Sequence, residues 1–174
     1  MKQLVNKISI SHPFGNILRP EHVLLVVQDY QDNFILGGKP NFYPENIYRF
    51  VGGGVEVGET PLQAAIREAE EELDLKLGQT QLEPLVQVKT IASCRDQEYQ
   101  NSTTLYYLDL ELGMTLKPGG DITFLKTMTR SELDQLCQRF DCLSASDWLN
   151  GKDGYKHCWA DYGKMYGFIH RCVL

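Results

Sequence analysis

The sequence predicts an α+β fold, layered as an α/β/α domain, and three observations carry that reading. Apolar strand-like runs alternate with two helical patterns along the chain. Neighbouring runs are joined by short polar turns, the mark of antiparallel hairpins. At 174 residues, with 43% apolar and 23% charged side chains, the chain can fill one core but not two comfortable ones. Residues 1–174 therefore read as a single domain, with the aromatic, less regular stretch 145–174 as a C-terminal extension.

The N-terminal MKQLVNKISISHPF has no continuous apolar stretch and so no signal-peptide pattern. HVLLVVQD, from His22, reads as a buried strand, and NFILGG, from Asn33, as its hairpin partner across DYQDN. KPNFYPEN is a loop punctuated by Pro40 and Pro44. IYRFV is a short strand running into Gly52-Gly53-Gly54. A helix follows: Thr60 is a good N-cap, Pro61 suits the first turn, and Gln63 completes a capping box. Leu62, Ala65, Ile66, Ala69 and Leu73 form its apolar face. PLVQVKTIASC leads through the polar loop RDQEYQNS into TTLYYLDLEL, and DITFLKTM is a further strand. RSELDQLCQRF is an amphipathic helix opened by Thr129 or Ser131.

A net charge of −6 and a pI near 5.2 argue against a nucleic-acid partner, which calls for a basic face. They do not exclude an anionic small molecule, because a metal or a local cation cluster reverses the field within one cleft. No run approaches the roughly 18 apolar residues of a membrane span. Five cysteines without C-x-x-C spacing read as free thiols of a reducing, cytoplasmic compartment. His157, Cys158, His170 and Cys172 fit no common zinc spacing. Trp159, Tyr162 and Tyr166 fall at i, i+3 and i+7, a stripe suited to core or dimer packing or to stacking on a nucleobase. A homodimer is therefore an open expectation.

The stretch REAEEELDL, Arg67 to Leu75, places Glu68, Glu71 and Glu72 at i, i+3 and i+4 on an arc bordering the helix's apolar face. Like charges at that spacing cost about 0.2–0.5 kcal/mol per pair, so a ligand that neutralises them is expected. Reading back from the helix, Gly53 is followed after five residues by Glu59, and after seven more by Arg67-Glu68. The pattern resembles the Nudix box, G-x5-E-x7-R-E-U-x-E-E-x-G-U, with U apolar. Six specified positions match, and at about 7% abundance each that is a chance of about one in ten million per starting point. Asp74 replaces the usual glycine at the helix exit, Ala69 is a small apolar residue, and Val51 stands where a proline is common.

The resemblance implies an α/β/α sandwich around a mixed central sheet. It also implies a metal-dependent hydrolase that cleaves a diphosphate bond in a nucleoside diphosphate linked to another moiety, by water attack at phosphorus. Hard divalent ions with oxygen ligands suit that chemistry, because they neutralise both the carboxylates and the phosphates. Residue by residue, Glu68, Glu71 and Glu72 are implied ligands of Mg²⁺ or Mn²⁺, with the Gly52 carbonyl as an extra ligand. Arg67 and Glu59 complete the catalytic set by pairing loop to helix. Glu56 and Glu70 match no fixed position. Lys39 and Arg49 are candidate phosphate contacts, and Gly53 and Gly54 allow the backbone to approach substrate. The general base is Glu68, Glu71, Asp96 or Glu98. The alternatives are an isopentenyl-diphosphate-isomerase-like enzyme and a non-catalytic nucleotide-binding sensor of the same fold. The isomerases use a cysteine before the box, whereas all five cysteines here follow it. A sensor can dispense with the carboxylates, and here the set is intact. Specificity is expected in loops 39–48 and 94–103 and in the tail.

Overall fold

In the computed structural model, which describes residues 1–145, 148–150 and 156–174 (backbone alone for 148–150, 156 and 157), twelve α-helices and strands follow in order, with a short 3-10 helix (Gln79–Gln81) between α2 and β4. They are β1 (Lys2–Ser9), α1 (Gly15–Leu18), β2 (Glu21–Gln28), β3 (Phe34–Gly38), α2 (Pro61–Leu73), β4 (Glu83–Cys94), β5 (Gln97–Asp109), β6 (Phe124–Met128), α3 (Arg130–Asp141), β7 (Trp148–Asn150), β8 (Lys156–Cys158) and α4 (Trp159–Arg171). Six strands form one sheet in the order β1-β4-β5-β2-β3-β6. β1–β4 and β2–β5 are parallel, and β4–β5, β2–β3 and β3–β6 are antiparallel. The sheet is mixed, and the fold is the expected α+β sandwich.

Strand β2 shows why there are three layers. Successive side chains point to opposite faces, and here both faces are apolar. Leu24 and Val26 enter a core shared with α3 and α4, through Leu136, Phe140, Tyr162 and Tyr166. Val23, Leu25 and Val27 enter a second core beneath α2, with Ala64, Ala65, Ala69 and Leu73.

Four expectations change. β1 is a strand that the local pattern did not reveal, running parallel to β4 from Lys2↔Val86 to Ser9↔Ser93. IYRFV is not a continuous strand; it makes isolated bridges, Gly37↔Arg49, Leu25↔Val51 and His22↔Gly54. β2 and β3 pair only at Val27↔Ile35 and Gln28↔Phe34, and residues 49–54 are wedged where they diverge. The loop RDQEYQNS is instead the end of a long hairpin, with Cys94 paired to Gln97 around Arg95-Asp96. The last segment is more regular than its sequence implied, since residues 159–171 form α4.

Local chemistry sets the helix ends. Thr129, not Ser131, caps α3, in a capping box with Glu132. α2 keeps a left-handed exit although glycine is missing, because Asp74 itself adopts φ 54°. Lys117 bonds the Asp74 carboxylate at 3.1 Å, and the Lys117 and Gly119 amides donate to Leu73 O and Glu72 O. Among the described residues no helix is long and apolar enough to cross a membrane.

Candidate active site

The site is built where α2 begins beside the glycine loop. Thr60 Oγ1 accepts from Gln63 N, Gln63 Oε1 accepts from Thr60 N at 2.8 Å, and Pro61 opens the helix. Buried alanines at 64, 65 and 69 let α2 lie close over β2. That seating carries Glu68 and Glu72 inward, to 7% and 6% exposure, and leaves Glu71 with a half-exposed side chain. Glu70 faces solvent and pairs with Lys76.

Arg67 is the hub. Its Nε and Nη2 form a two-pronged pair with Glu59, at 2.8 and 3.0 Å, and Nη2 also donates to Gly54 O at 2.9 Å. Nη1 reaches Glu68 Oε1 at 2.7 Å and Glu71 Oε2 at 3.1 Å. One fork thus ties loop to helix and orients two carboxylates, which a lysine could not do. The Arg67 contact holds the Glu59 carboxyl below its ordinary range. Glu68 and Glu72 move the other way. Burial raises both, outweighing Arg67 at Glu68, and Arg49, the Gly52 amide and Lys39 at Glu72.

The glycines are there for close approach. Gly52 has φ 135°, and a Cβ on it would lie 2.2 Å from Val23 O. A Cβ on Gly53 would meet Glu68 Oε1 at 2.3 Å. Gly52 N donates to Glu72 Oε2 at 2.8 Å.

The substrate-side candidates divide. Lys39 Nζ lies 4.0 Å from Glu72 and 3.6 Å from Asp121, at the rim of the carboxylate cluster. Arg49 is not a surface cation awaiting phosphate. It is buried, and its guanidinium bonds Gly52 O, the same carbonyl expected to serve a metal. Asp96 and Glu98 sit at the tip of the β4–β5 hairpin, where no described hydrogen bond or ion pair joins either to α2. Tyr162 and Tyr166 are core residues, which removes them as a stacking platform for a base. The His157 side chain lies outside the described residues. His170 and Cys172 are bonded to the backbone of α4.

Three neighbours escaped the sequence reading. Asp121 stands beside Lys39. The Arg19 guanidinium lies against Gly54, whose Cβ would come 3.1 Å from Nη1. Buried His22 bonds Asn101 at 2.7 Å through Nδ1 and leaves Nε2 without a partner. Only the Pro118-Gly119-Gly120 turn before Asp121 could have pointed to one of them, since paired glycines permit a tight approach to another backbone, and Gly119 packs on Glu71 O.

The NUDIX domain family model matches residues 14–145. The chain belongs to the Nudix family. No curated protein matches the sequence. Similar solved structures include DR0079 from Deinococcus radiodurans, at 22% identity and TM-score 0.54, covering 88% of this chain and 86% of that one. The C. elegans Ap4A hydrolase, in a binary complex, aligns at 19% identity and TM-score 0.52, covering 88% and 94%. A MutT/nudix family protein from Enterococcus faecalis aligns at 19% and 0.49 over 63% of this chain, which spans 43% of that protein's length. At such identities the likeness concerns the fold.

Nudix hydrolases generally use divalent metal ions, and the residues of this Nudix protein fit one. The donors are all oxygens, the choice of a hard cation. Glu68 and Glu72 are carboxylates partly stripped of water, and the glycine at 53 keeps the space beside Glu68 clear of side chain. Among the described residues no three such side chains already converge on one point. Glu68 and Glu71 are both turned to Arg67.

Proposed function

We propose that this Nudix protein hydrolyses a diphosphate bond in a nucleoside diphosphate linked to a second moiety, with Mg²⁺ or Mn²⁺. The observation that supports it best is the buried pair Glu68 and Glu72 beside the glycine loop, with Glu71 on the next rung. Carboxylates so placed are costly unless something compensates their charge. A divalent ion compensates it, and the chemistry such an ion supplies is neutralisation of phosphate charge and a more acidic water.

The chain's own part follows from its contacts. Glu68, Glu71 and Glu72 would hold the ion. Arg67, locked by Glu59 and Gly54, keeps the carboxylates oriented without touching substrate. Lys39 is the phosphate contact, and the Gly53–Gly54 backbone borders the reacting bond. Of the four candidate bases, Glu68 and Glu71 are the two that described bonds join to this cluster. Cys94, the cysteine nearest the box in sequence, is bonded to Ser11 O, and no described bond joins it to the cluster, which lends the isomerase reading no support.

Product analysis after incubation with nucleotide sugars, nucleoside triphosphates, ADP-ribose and dinucleotides tests the reading. In ¹⁸O water, label should enter a phosphate product only when Mg²⁺ is present. Glu71→Gln should lower turnover by about 10²-fold, the scale of a lost ligand, and blunt the Mg²⁺-induced rise in melting temperature. Equal turnover in both proteins would refute the carboxylate mechanism.

Loop 39–48 supplies the other half of the site. A cavity of about 280 Å³ opens beside Lys39, lined by Tyr43, Asn46, Tyr48 and Phe124 among others. The Tyr48 and Phe124 rings meet edge to face at 5.8 Å. This cavity suits the base or ribose of one nucleoside. Phe124→Ala should raise KM about tenfold, the scale of one lost base–aromatic contact, with kcat unchanged. A wild-type KM would show that the nucleoside sits elsewhere.

A further inference from the structure

Helix α4 lies beyond residue 145, where the Nudix match ends, yet it grips the run leading into the glycine loop at two successive residues, Arg49 and Phe50. Arg49 is the first grip. Its Nη1 donates to Tyr166 OH at 3.1 Å and lies 3.5 Å from Tyr162 OH, while Nη2 donates to Gly52 O at 2.9 Å. The guanidinium sits 5.0 Å from the Tyr166 ring centroid. The next residue is the second grip: Phe50 N donates to His170 Nε2 at 3.1 Å, and the two rings stack 4.4 Å apart. His170 is fixed in turn through Nδ1, 2.7 Å from Tyr166 O.

Gly52 is therefore pinned on both sides. Its N–H is held by Glu72 of α2, and its carbonyl by Arg49, which α4 holds. This arrangement is costly as mere core. A guanidinium is buried among tyrosines, and its Nε has no partner. Apolar residues usually serve a core as well or better than a buried charge with an unpaired donor.

We propose that Arg49 and Tyr166 are positioning residues that set the Gly52 peptide for the metal and the diphosphate, making the C-terminal helix a working part of the site. The inference rests on the hydrolase reading above and adds an element that the Nudix match does not include. Arg49 suits the task because a planar fork bonds Gly52 O and Tyr166 OH at once, which an ammonium does not do in a fixed geometry. A carbonyl has two lone pairs, so Gly52 O keeps one beyond its bond to Arg49.

The test compares wild type with Tyr166→Phe and Arg49→Lys. Each protein's melting temperature is followed through a Mg²⁺ titration, and its kinetics are measured at saturating Mg²⁺. Both variants should need about tenfold more Mg²⁺ for half of the thermal shift, the scale expected when a group supporting a metal ligand is lost. Substrate KM should stay near wild type, while the metal-free melting temperature falls because a buried guanidinium loses a partner; the Mg²⁺ midpoint is the readout that decides. A lower metal-free melting temperature with an unchanged Mg²⁺ midpoint would mean that the cluster is only structural, and would overturn the proposal. Should Arg49→Lys not fold, the isosteric Tyr166→Phe decides alone. If wild type itself shows no Mg²⁺ shift and no hydrolysis, the hydrolase reading falls and this inference with it. A wild-type shift reproduced unchanged in the variants removes this inference alone.

Discussion

Glu68→Gln is expected to lower turnover at saturating Mg²⁺ by about 10²–10³-fold while leaving the metal-free protein as stable as wild type, or more so. Losing one ligand of an ion that stabilises phosphoryl charge removes several kcal/mol from the transition state, and about 1.4 kcal/mol is tenfold. Stability should move the other way because burial raises the Glu68 carboxyl, with Arg67 opposing that rise only in part. A folded pKa above the unfolded one means that the charged form is disfavoured in the fold. That group's contribution is favourable in acid and is lost as pH rises through the folded value. At neutral pH the carboxylate is therefore a burden that glutamine does not carry, while its amide oxygen can still accept from Arg67 Nη1. Thermal melts in a chelator, set beside steady-state rates, check both halves. A variant that melts well below wild type would show that Glu68 is a structural partner of Arg67 first and a ligand second. The opposite signs are the usual trade between activity and stability at a working site.

The second large effect is acid sensitivity. Burial pushes both His22 and His170 down to about 3, with the Arg49 charge adding to the effect in each, and Arg19 as well at His22. The unfolded chain holds these imidazoles near 6.5. A depressed folded pKa gives stability that is whole above 6.5 and is lost as pH falls toward 3. By pH 5 each histidine should have removed about 2 kcal/mol, from 1.5 pH units at about 1.4 kcal/mol per unit. Glu68 and Glu72 act in the opposite sense, since burial raises their carboxyls and they gain protons in the fold as pH falls. The clean readout is therefore a difference between proteins. Urea unfolding at pH 7.5 and pH 5 should show a gap about 2 kcal/mol smaller in His170→Gln than in wild type. The same gap in both would mean that His170 is not held neutral.

What the sequence showed and what it hid have different causes. The helix with Glu68, Glu71 and Glu72, its Thr60 cap and its Glu59–Arg67 brace are encoded within some fifteen residues, so spacing alone exposes them. β1 was hidden because its partner lies more than eighty residues on, and its own residues alternate too weakly to declare a buried face. Arg49 misled for a related reason. A charged residue in IYRF looks like a surface cation until Tyr162 and Tyr166, over a hundred residues later, are seen to enclose it. The stripe of Trp159, Tyr162 and Tyr166 was visible, but what it packed against was not. Asp121 joins the site only because the chain folds back on the end of α2, and no periodicity announces that.

The way α4 closes the molecule has a consequence for biosynthesis. Besides its hold on Arg49 and Phe50, it meets the N-terminal segment: Lys164 bonds Ser9 O at 2.7 Å, and Asp161 accepts from Ser11 N at 2.7 Å. The ribosome makes α2 and its glycine loop long before α4, and chains fold as they emerge. During translation the carboxylates of α2 thus face a glycine loop that α4 does not yet hold. Once made, α4 draws residues 9–11 and the run into the glycine loop into a single frame.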